Sequence, residues 1–293
     1  MNNPIILMAT GAILIAFSPI LTKAVELQAT PIGFYRFFFA TLTTTLYLIH
    51  KKNEVLYTID KKELRAALPY MALAGLFFSI DLFFWNRSIL SVGSGVATLL
   101  ANTQVFYLAF IGALLFKERL NLLFYPALVL SIFGVSLTSS PYIDISNLSD
   151  KGMGIIYGLL TGMSYSLVTL CLRKANDYFK GKQIIIIYTM TFFAMVFSLL
   201  FSLIEGSLEI IKSSDLIYMI IYGSLIHIFG WLFISRSIKV IPIALASLLL
   251  LLQPICATVL GYLIYTEELE LIQVLGMLIS LLGIYLAMRA RNS

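Results

Sequence analysis

Residues 87–120 read RSILSVGSGVATLLANTQVFYLAFIGALLFKERL, and residues 236–269 read RSIKVIPIALASLLLLLQPICATVLGYLIYTEEL. At a constant offset of 149 residues, and with no gap, Arg87-Ser88-Ile89 falls on Arg236-Ser237-Ile238. Ala97 then falls on Ala246, Gln104 on Gln253, Gly112 on Gly261, Glu118 on Glu267 and Leu120 on Leu269. Beyond the quoted stretch the same offset carries Ser131 onto Ser280 and Gly134 onto Gly283. The chain therefore contains one unit twice. Both copies are overwhelmingly apolar, which places the unit in a membrane. A duplicated membrane unit is the usual frame of an alternating-access carrier, with its site between the copies.

Composition agrees. Hydrophobic residues make up 60% of the 293 positions and charged residues only 12%, against about 25% charged in soluble domains. The formal charge of +5 is spread between apolar runs, so it reads as topology and not as a nucleic-acid stripe. Cys171 and Cys256 lack metal-ligand spacing and read as packing residues. No metal or cofactor is called for.

A spanning helix takes about 20 mostly apolar residues. Such segments fall near 5–24, 31–49, 67–86, 93–116, 122–139, 153–172, 183–204, 215–234, 241–264 and 271–288. The expectation is thus an all-α integral membrane protein of ten transmembrane helices, in two five-helix units, 1–140 and 151–290. The first segment lacks a basic leader and runs into another span, so it is read as a helix and not as a cleaved signal.

Ten spans put both termini on one side. Fifteen of the twenty Lys and Arg lie after helices 2, 4, 6 and 8 or in the C-terminal tail, whereas Lys23, Arg87, Lys151 and Lys212 lie opposite and Arg36 is inside helix 2. Positive residues mark the cytoplasmic face, so both termini are expected there, in the cytoplasmic membrane. Five is odd, so the second copy must enter from the other face. The loop charges follow: Lys117-Glu118-Arg119 on the inside becomes Thr266-Glu267-Glu268 on the outside. Packing residues kept while loop charges change is the mark of inverted repeats.

With these residues in view, the chain resembles the drug/metabolite transporter superfamily, specifically its ten-helix EamA-like branch. The repeat of that family ends in E-x-L, then Gln, Gly and a second Gly. Copy two has Glu267, Leu269, Gln273, Gly276 and Gly283, and copy one keeps Glu118, Leu120 and Gly134. Phe34-Tyr35-Arg36-Phe37 is similar to the Arg-bearing stretch of the family's second helix. Its helix 1 Trp-Gly is replaced here by Ala16-Phe17, followed by Ser18-Pro19. The resemblance covers essentially the full length and implies export or uptake of small metabolites.

An ionisable group in the hydrocarbon is costly unless paired or wetted, which makes each one a site candidate. Asp81 and Arg36 both fall in the outer half of their helices. Either they pair to hold helices 2 and 3 together, or Asp81 faces a cavity and meets an ammonium group or a proton. Trp85 follows Asp81 at i+4 and so shares its helix face; His227 and Trp231 repeat that spacing in helix 8. The tryptophans are either interface anchors or aromatic cavity walls. His227 either titrates in a proton relay or hydrogen-bonds a neighbouring helix. Gln104 and Gln253 align at mid-span, where such carriers bind substrate; the other reading is a hydrogen bond across the repeat interface. Asn102 lies half a turn from Gln104. Pro254 follows Gln253 and frees a carbonyl near Leu250. Tyr165 and Tyr188 are candidate cavity hydroxyls. Gly93, Gly95, Ala97, Ala244, Ala246 and Ser247 permit close helix contact. Glu118 and Glu267 favour the positive starts of the helices that follow.

The function expected is secondary or facilitative transport of small amphipathic metabolites, with amino acids or related amines favoured. Nothing fits G-x-x-x-x-G-K-[ST], so energy would come from a gradient. Ten helices suffice for one chain to enclose a pathway, so the protein can work as a monomer, with the small-molecule substrate and the lipid bilayer as its partners. The rival class is an intramembrane enzyme or a non-transporting membrane scaffold. Gly93-Ser94-Gly95 is not a nucleophile elbow, and His50 and His227 have no zinc spacing, so no catalytic group is assigned.

Overall fold

The computed structural model describes residues 3–51, 59–115, 121–139, 152–179, 183–266 and 270–290, and among them every regular element is a helix. Helix α1 (Pro4–Ile15) starts on Asn3, whose side chain accepts the Ile5 N–H at 2.9 Å, and Pro4 fits its first turn. It stops at Ala16-Phe17 and resumes as α2 (Ser18–Lys23). The first span is therefore broken where a continuous helix was expected. The reason is Pro19, which has no N–H to offer the carbonyl one turn back. Then come α3 (Ala29–His50), α4 (Lys61–Ala101), α5 (Gln104–Leu115) and α6 (Phe124–Ser139). The second half has α7 (Gly152–Tyr178), α8 (Gln183–Glu205), and a rod of α9 (Ser213–Ile221), a π turn (Tyr222–His227) and α10 (Ile228–Ile238). It ends with α11 (Ile243–Leu250), α12 (Leu252–Tyr265) and α13 (Leu271–Ala290).

Seven stretches are long and apolar enough to cross a membrane: Pro4–Lys23, Ala29–His50, Lys61–Ser88, Gly152–Tyr178, Gln183–Glu205, Ser213–Ile238 and Ile243–Tyr265. Phe124–Leu137 and Leu271–Ala287 are shorter apolar helices. Of the expected ten, the fourth (93–116) is not a separate rod. The helix runs unbroken through 87–92, where a turn was expected. Arg87 does not need to leave it: Nη1 donates to the Phe83 carbonyl at 2.9 Å, and the guanidinium pairs with Glu205. The break comes later, at Asn102-Thr103, where the Thr103 hydroxyl and N–H both bond the Leu100 carbonyl, at 2.6 and 3.0 Å. Residues 117–119, 140–150, Glu267 and Glu268, expected in the loops, lie outside the described residues.

The surface identifies the solvent. Phe110 is 66% exposed and Val129 65%, both in mid-helix, while Arg36, Asp81, Gln104, His227, Ser131 and Ser280 are buried. Apolar outside and polar inside is what lipid demands. The chain is a multi-pass membrane protein.

The packing between halves is reciprocal. α4 lies along α7, and α1 along α10; α3 meets α8, α6 meets α13, and α5 meets α11. A Cβ on Gly134 of α6 would collide with the Ser280 N and the Gly276 carbonyl of α13, and one on Gly283 would collide with the Ser131 N and the Ala127 carbonyl of α6. Each contact is the other with the copies exchanged. Gly75 of α4 similarly sits on Met190 O, Phe193 Cβ and Ala194 N of α8, while Gly223 of the π turn sits on Arg36 O, Phe39 Cβ and Ala40 N of α3. The same three atoms, one helical turn long, meet a glycine on both sides.

Candidate functional site

The breaks at Ala16-Phe17, Asn102-Thr103 and Leu251 converge on one cavity of about 140 Å³, room for several waters. Asn102 and Leu251 are themselves related by the 149-residue offset. At the second break Leu251 bonds back to Leu248, and Pro254, three residues on, has no N–H for the Leu250 carbonyl, as the sequence indicates. Interrupted helices inside a membrane persist where their loosened backbone faces a cavity.

Of the candidate residues, Asp81, Trp85, Asn102, Gln104, Tyr165, Trp231 and Gln253 line this cavity. Ser18, Arg36, Phe78, Thr161 and Tyr222 line it too. Trp231 is buried, stacked edge-on against Phe78 at 4.7 Å and tilted against Tyr165 at 5.6 Å, so it is no interface anchor. Gln253 Nε2 donates to Tyr165 Oη at 3.0 Å, which ties α12 to α7. Gln104 bonds no partner through Oε1, which is buried, so the two glutamines differ in chemistry though they match in depth. Tyr188 does not reach the cavity; its hydroxyl accepts the Thr45 hydroxyl at 3.5 Å.

His227 does not line the cavity either. It sits one layer behind, fully buried, and holds Arg36 in place. Arg36 Nε donates to His227 Nδ1 at 3.1 Å, and Nη1 donates to Tyr222 Oη at 3.0 Å. The guanidinium lies 4.6 Å from the Tyr222 ring centre and 5.2 Å from that of Phe78, which stabilises a cation. Since Nδ1 accepts, Nε2 carries the ring proton and donates to Thr191 Oγ1 at 2.9 Å. The π turn supplies both residues that hold Arg36, since its wider winding presents Tyr222 and His227 toward α3.

Arg36 and Asp81 do not form the ion pair that the sequence suggested as one possibility. The reason is that Arg36 is already directed at Tyr222 and His227. Asp81 is 5% exposed and accepts no hydrogen bond among the described residues, and its Oδ1 is fully enclosed. Arg36 Nη2 likewise meets no protein acceptor there. Four of the buried polar atoms without partners belong to cavity residues: Ser18 Oγ, Asp81 Oδ1, Gln104 Oε1 and Trp231 Nε1. Buried polar atoms are normally satisfied, so such a concentration at one cavity marks it as the candidate place for a polar solute.

Sequence reasoning missed Tyr222, Phe78, Ser18 and Thr161. The Ser18-Pro19 pair carried a usable signal, as a proline in a span. Tyr222 carried none, because its role depends on the π turn.

At one end of the bundle, a clasp ties the start of α3 to the α8–α9 connection. The Glu26 N–H donates to Asp215 Oδ2 at 3.2 Å, the Gln28 N–H to Glu209 Oε1 at 2.6 Å, and the Thr30 hydroxyl to Glu205 Oε2 at 2.7 Å. Carboxylates there also suit the positive start of α3. Glu26, 2.6 Å from Lys212 Nζ, raises the ammonium of Lys212 above its usual value.

Comparison with known proteins follows the same lines. The EamA-like transporter family matches the chain twice, over residues 2–140 and 152–289. An uncharacterized transporter of Archaeoglobus fulgidus is 25% identical over 177 residues, spanning 60% of this chain and 61% of that protein. Another, from Clostridium kluyveri, is 23% identical over 222 residues, spanning 74% and 70%. A protein of known crystal structure superposes with a TM-score of 0.80 over 98% of both chains at 13% identity, a likeness of fold alone. With nearly its whole length taken up by two copies of that family's unit, this membrane protein belongs to the EamA-like transporter family, within the drug/metabolite transporter superfamily.

Proposed function

We propose that the chain is a secondary or facilitative transporter of small amphipathic zwitterions, amino acids above all, across the cytoplasmic membrane. The observation that carries the reading is one cavity bearing a cation and an anion that do not satisfy each other. Arg36 presents Nη2, a group suited to a carboxylate. Asp81 presents a carboxylate with no donor, suited to an ammonium group. Trp85, Trp231, Phe78 and Tyr165 offer faces to the apolar part of the solute. A free ammonium or carboxylate would meet only half of this arrangement.

The working motion is alternating access of two inverted five-helix repeats, 1–140 and 151–290, around this cavity. Three observations support it: the family unit recurs in each half, the glycine contacts are reciprocal, and the breaks at Asn102 and Leu251 are equivalent. Loop charges support termini on the cytoplasmic side, which makes the clasp at Glu205, Glu209 and Asp215 an outer gate, closed in this structure.

The test compares an α-amino acid with its decarboxylated amine and its deaminated acid, by thermal stabilisation of the purified protein and by counterflow in proteoliposomes. The amino acid should bind best, each half-molecule at least about tenfold more weakly, since one charged hydrogen bond is worth roughly 1.5–3 kcal/mol. An amine that competes as well as the amino acid would remove the role of Arg36 and with it this reading.

A further inference from the structure

We propose that a second cavity, between α3, α8 and α10, is a binding site for an anionic phospholipid of the adjacent leaflet. It measures about 280 Å³, twice the central cavity, and shares none of its lining. It lies at the end of the bundle where α3 finishes and α8 begins, with Tyr47 and Gln183 at its mouth and Arg236 near the end of α10.

Its polar groups fall into two sets. Deep inside, Thr43 and Ser224 bond one another at 2.6 Å and Thr44 donates to the Ala40 carbonyl at 2.8 Å, so these hydroxyls are satisfied. At the mouth, the Arg236 guanidinium and the Tyr47 hydroxyl make no protein hydrogen bond among the described residues. Gln183 and Ile184 bring the opening turn of α8 to the same place, and its N–H groups favour an anion. Among the described residues no Asp or Glu lines the cavity. Free donors at the mouth with no acidic neighbour suit a phosphate.

The remainder suits a chain. Ile228, Phe229 and Leu232 form the wall between the mouth and Ser224, and Phe229 and Tyr47 are exposed on the lipid side. The twelve steps from Ser224 to Arg236 give a groove roughly 18 Å long at about 1.5 Å per residue. A free phosphate would leave that apolar wall uncovered, whereas a phospholipid covers both parts. A basic group between membrane helices is a recognised means of retaining acidic lipid.

Native mass spectrometry of the purified protein, titrated with phosphatidylglycerol or phosphatidylcholine, tests the assignment. The wild type should retain phosphatidylglycerol preferentially. Arg236→Gln should lower that affinity about fivefold, the effect of one cation near the headgroup, while Lys239→Gln, an exposed cation at the same end but outside the groove, should not. Leu232→Trp should fill the groove and reduce retention with Arg236 intact. Equal retention of the two lipids, an equal effect of both charge changes, or full displacement by inorganic phosphate would each overturn the proposal. None of these readouts depends on the transported solute.

Discussion

Replacing Asp81 by Asn should leave the protein folded and remove half of its substrate recognition. Had Asp81 formed a direct buried pair with Arg36, breaking that pair would cost about 3–5 kcal/mol by stranding a cation. In the structure Arg36 is instead bonded to His227 and Tyr222, and Asp81 Oδ1 has no partner. Neutralising an unsatisfied buried carboxylate recovers about 1–3 kcal/mol. Against this stands the lost attraction to Arg36 across the cavity, at most about 4 kcal/mol beyond ion-pair distance at an effective dielectric of 20. The two oppose each other, so the net change in stability should stay within about 3 kcal/mol. Binding should respond differently. Loss of a charged hydrogen bond to the ammonium group weakens affinity by roughly ten- to a hundredfold, whereas the deaminated acid should bind the variant as it binds the wild type. Thermal unfolding in detergent and equilibrium binding of the two ligands measure these quantities. A loss above about 3 kcal/mol that Arg36→Gln then rescues, or an amino-acid affinity left unchanged, would refute the reasoning.

Gln104→Ala should cost little stability, because Oε1 is unpartnered, while Gln253→Ala should cost about 1 kcal/mol by freeing Tyr165; both should weaken substrate binding, and wild-type affinity in both would reduce the glutamines to packing groups. Gly134→Val and Gly283→Val should each destabilise by at least about 1–3 kcal/mol, since the added carbons meet backbone of the opposite helix; a large effect from only one would contradict the reciprocal interface. On a cysteine-free background, an impermeant thiol reagent applied to intact cells should label a cysteine at Glu270 and spare one at Lys61, and the reverse pattern would invert the topology. Glu205→Gln, which weakens the contacts to both Arg87 and Thr30, should increase outside accessibility of a cysteine placed at Ser18; unchanged labelling would remove the clasp from the gating mechanism.

Much of this fold was legible because membrane packing is written in small residues. Ser131, Gly134, Ser280 and Gly283 could be matched by eye, and they meet in space. Depth was legible in part: position along the helix put Gln104 and Gln253 at mid-span and Asp81 in the outer half of its helix, and all three line one cavity. Rotation was not. Whether Arg36 turns toward Asp81 or toward Tyr222 depends on how α3 and the α9–α10 rod sit about their axes, which periodicity cannot resolve when every face is apolar. The continuity of α4 through Arg87 was missed for a related reason. A charge in an apolar run reads as a helix end unless its partner, here Glu205 some hundred residues later, is known.

The π turn has a consequence for how the two halves came to differ. Gly75 and Gly223 occupy equivalent packing places 148 residues apart, yet Arg87 and Arg236 correspond at 149. The interval from glycine to arginine is therefore one residue longer in the second half, and all of the π turn except Tyr222 lies within it. A π turn takes in one more residue than an α turn, so it accommodates the extra residue while the Gly223 contact at its start and the arginine after it both keep their places. On the two-repeat reading, one residue of difference lets two corresponding helices serve as different tools. The α4 version carries the lone carboxylate, and the α9–α10 version grips the arginine. A homodimer of identical units could not make such a division of charge.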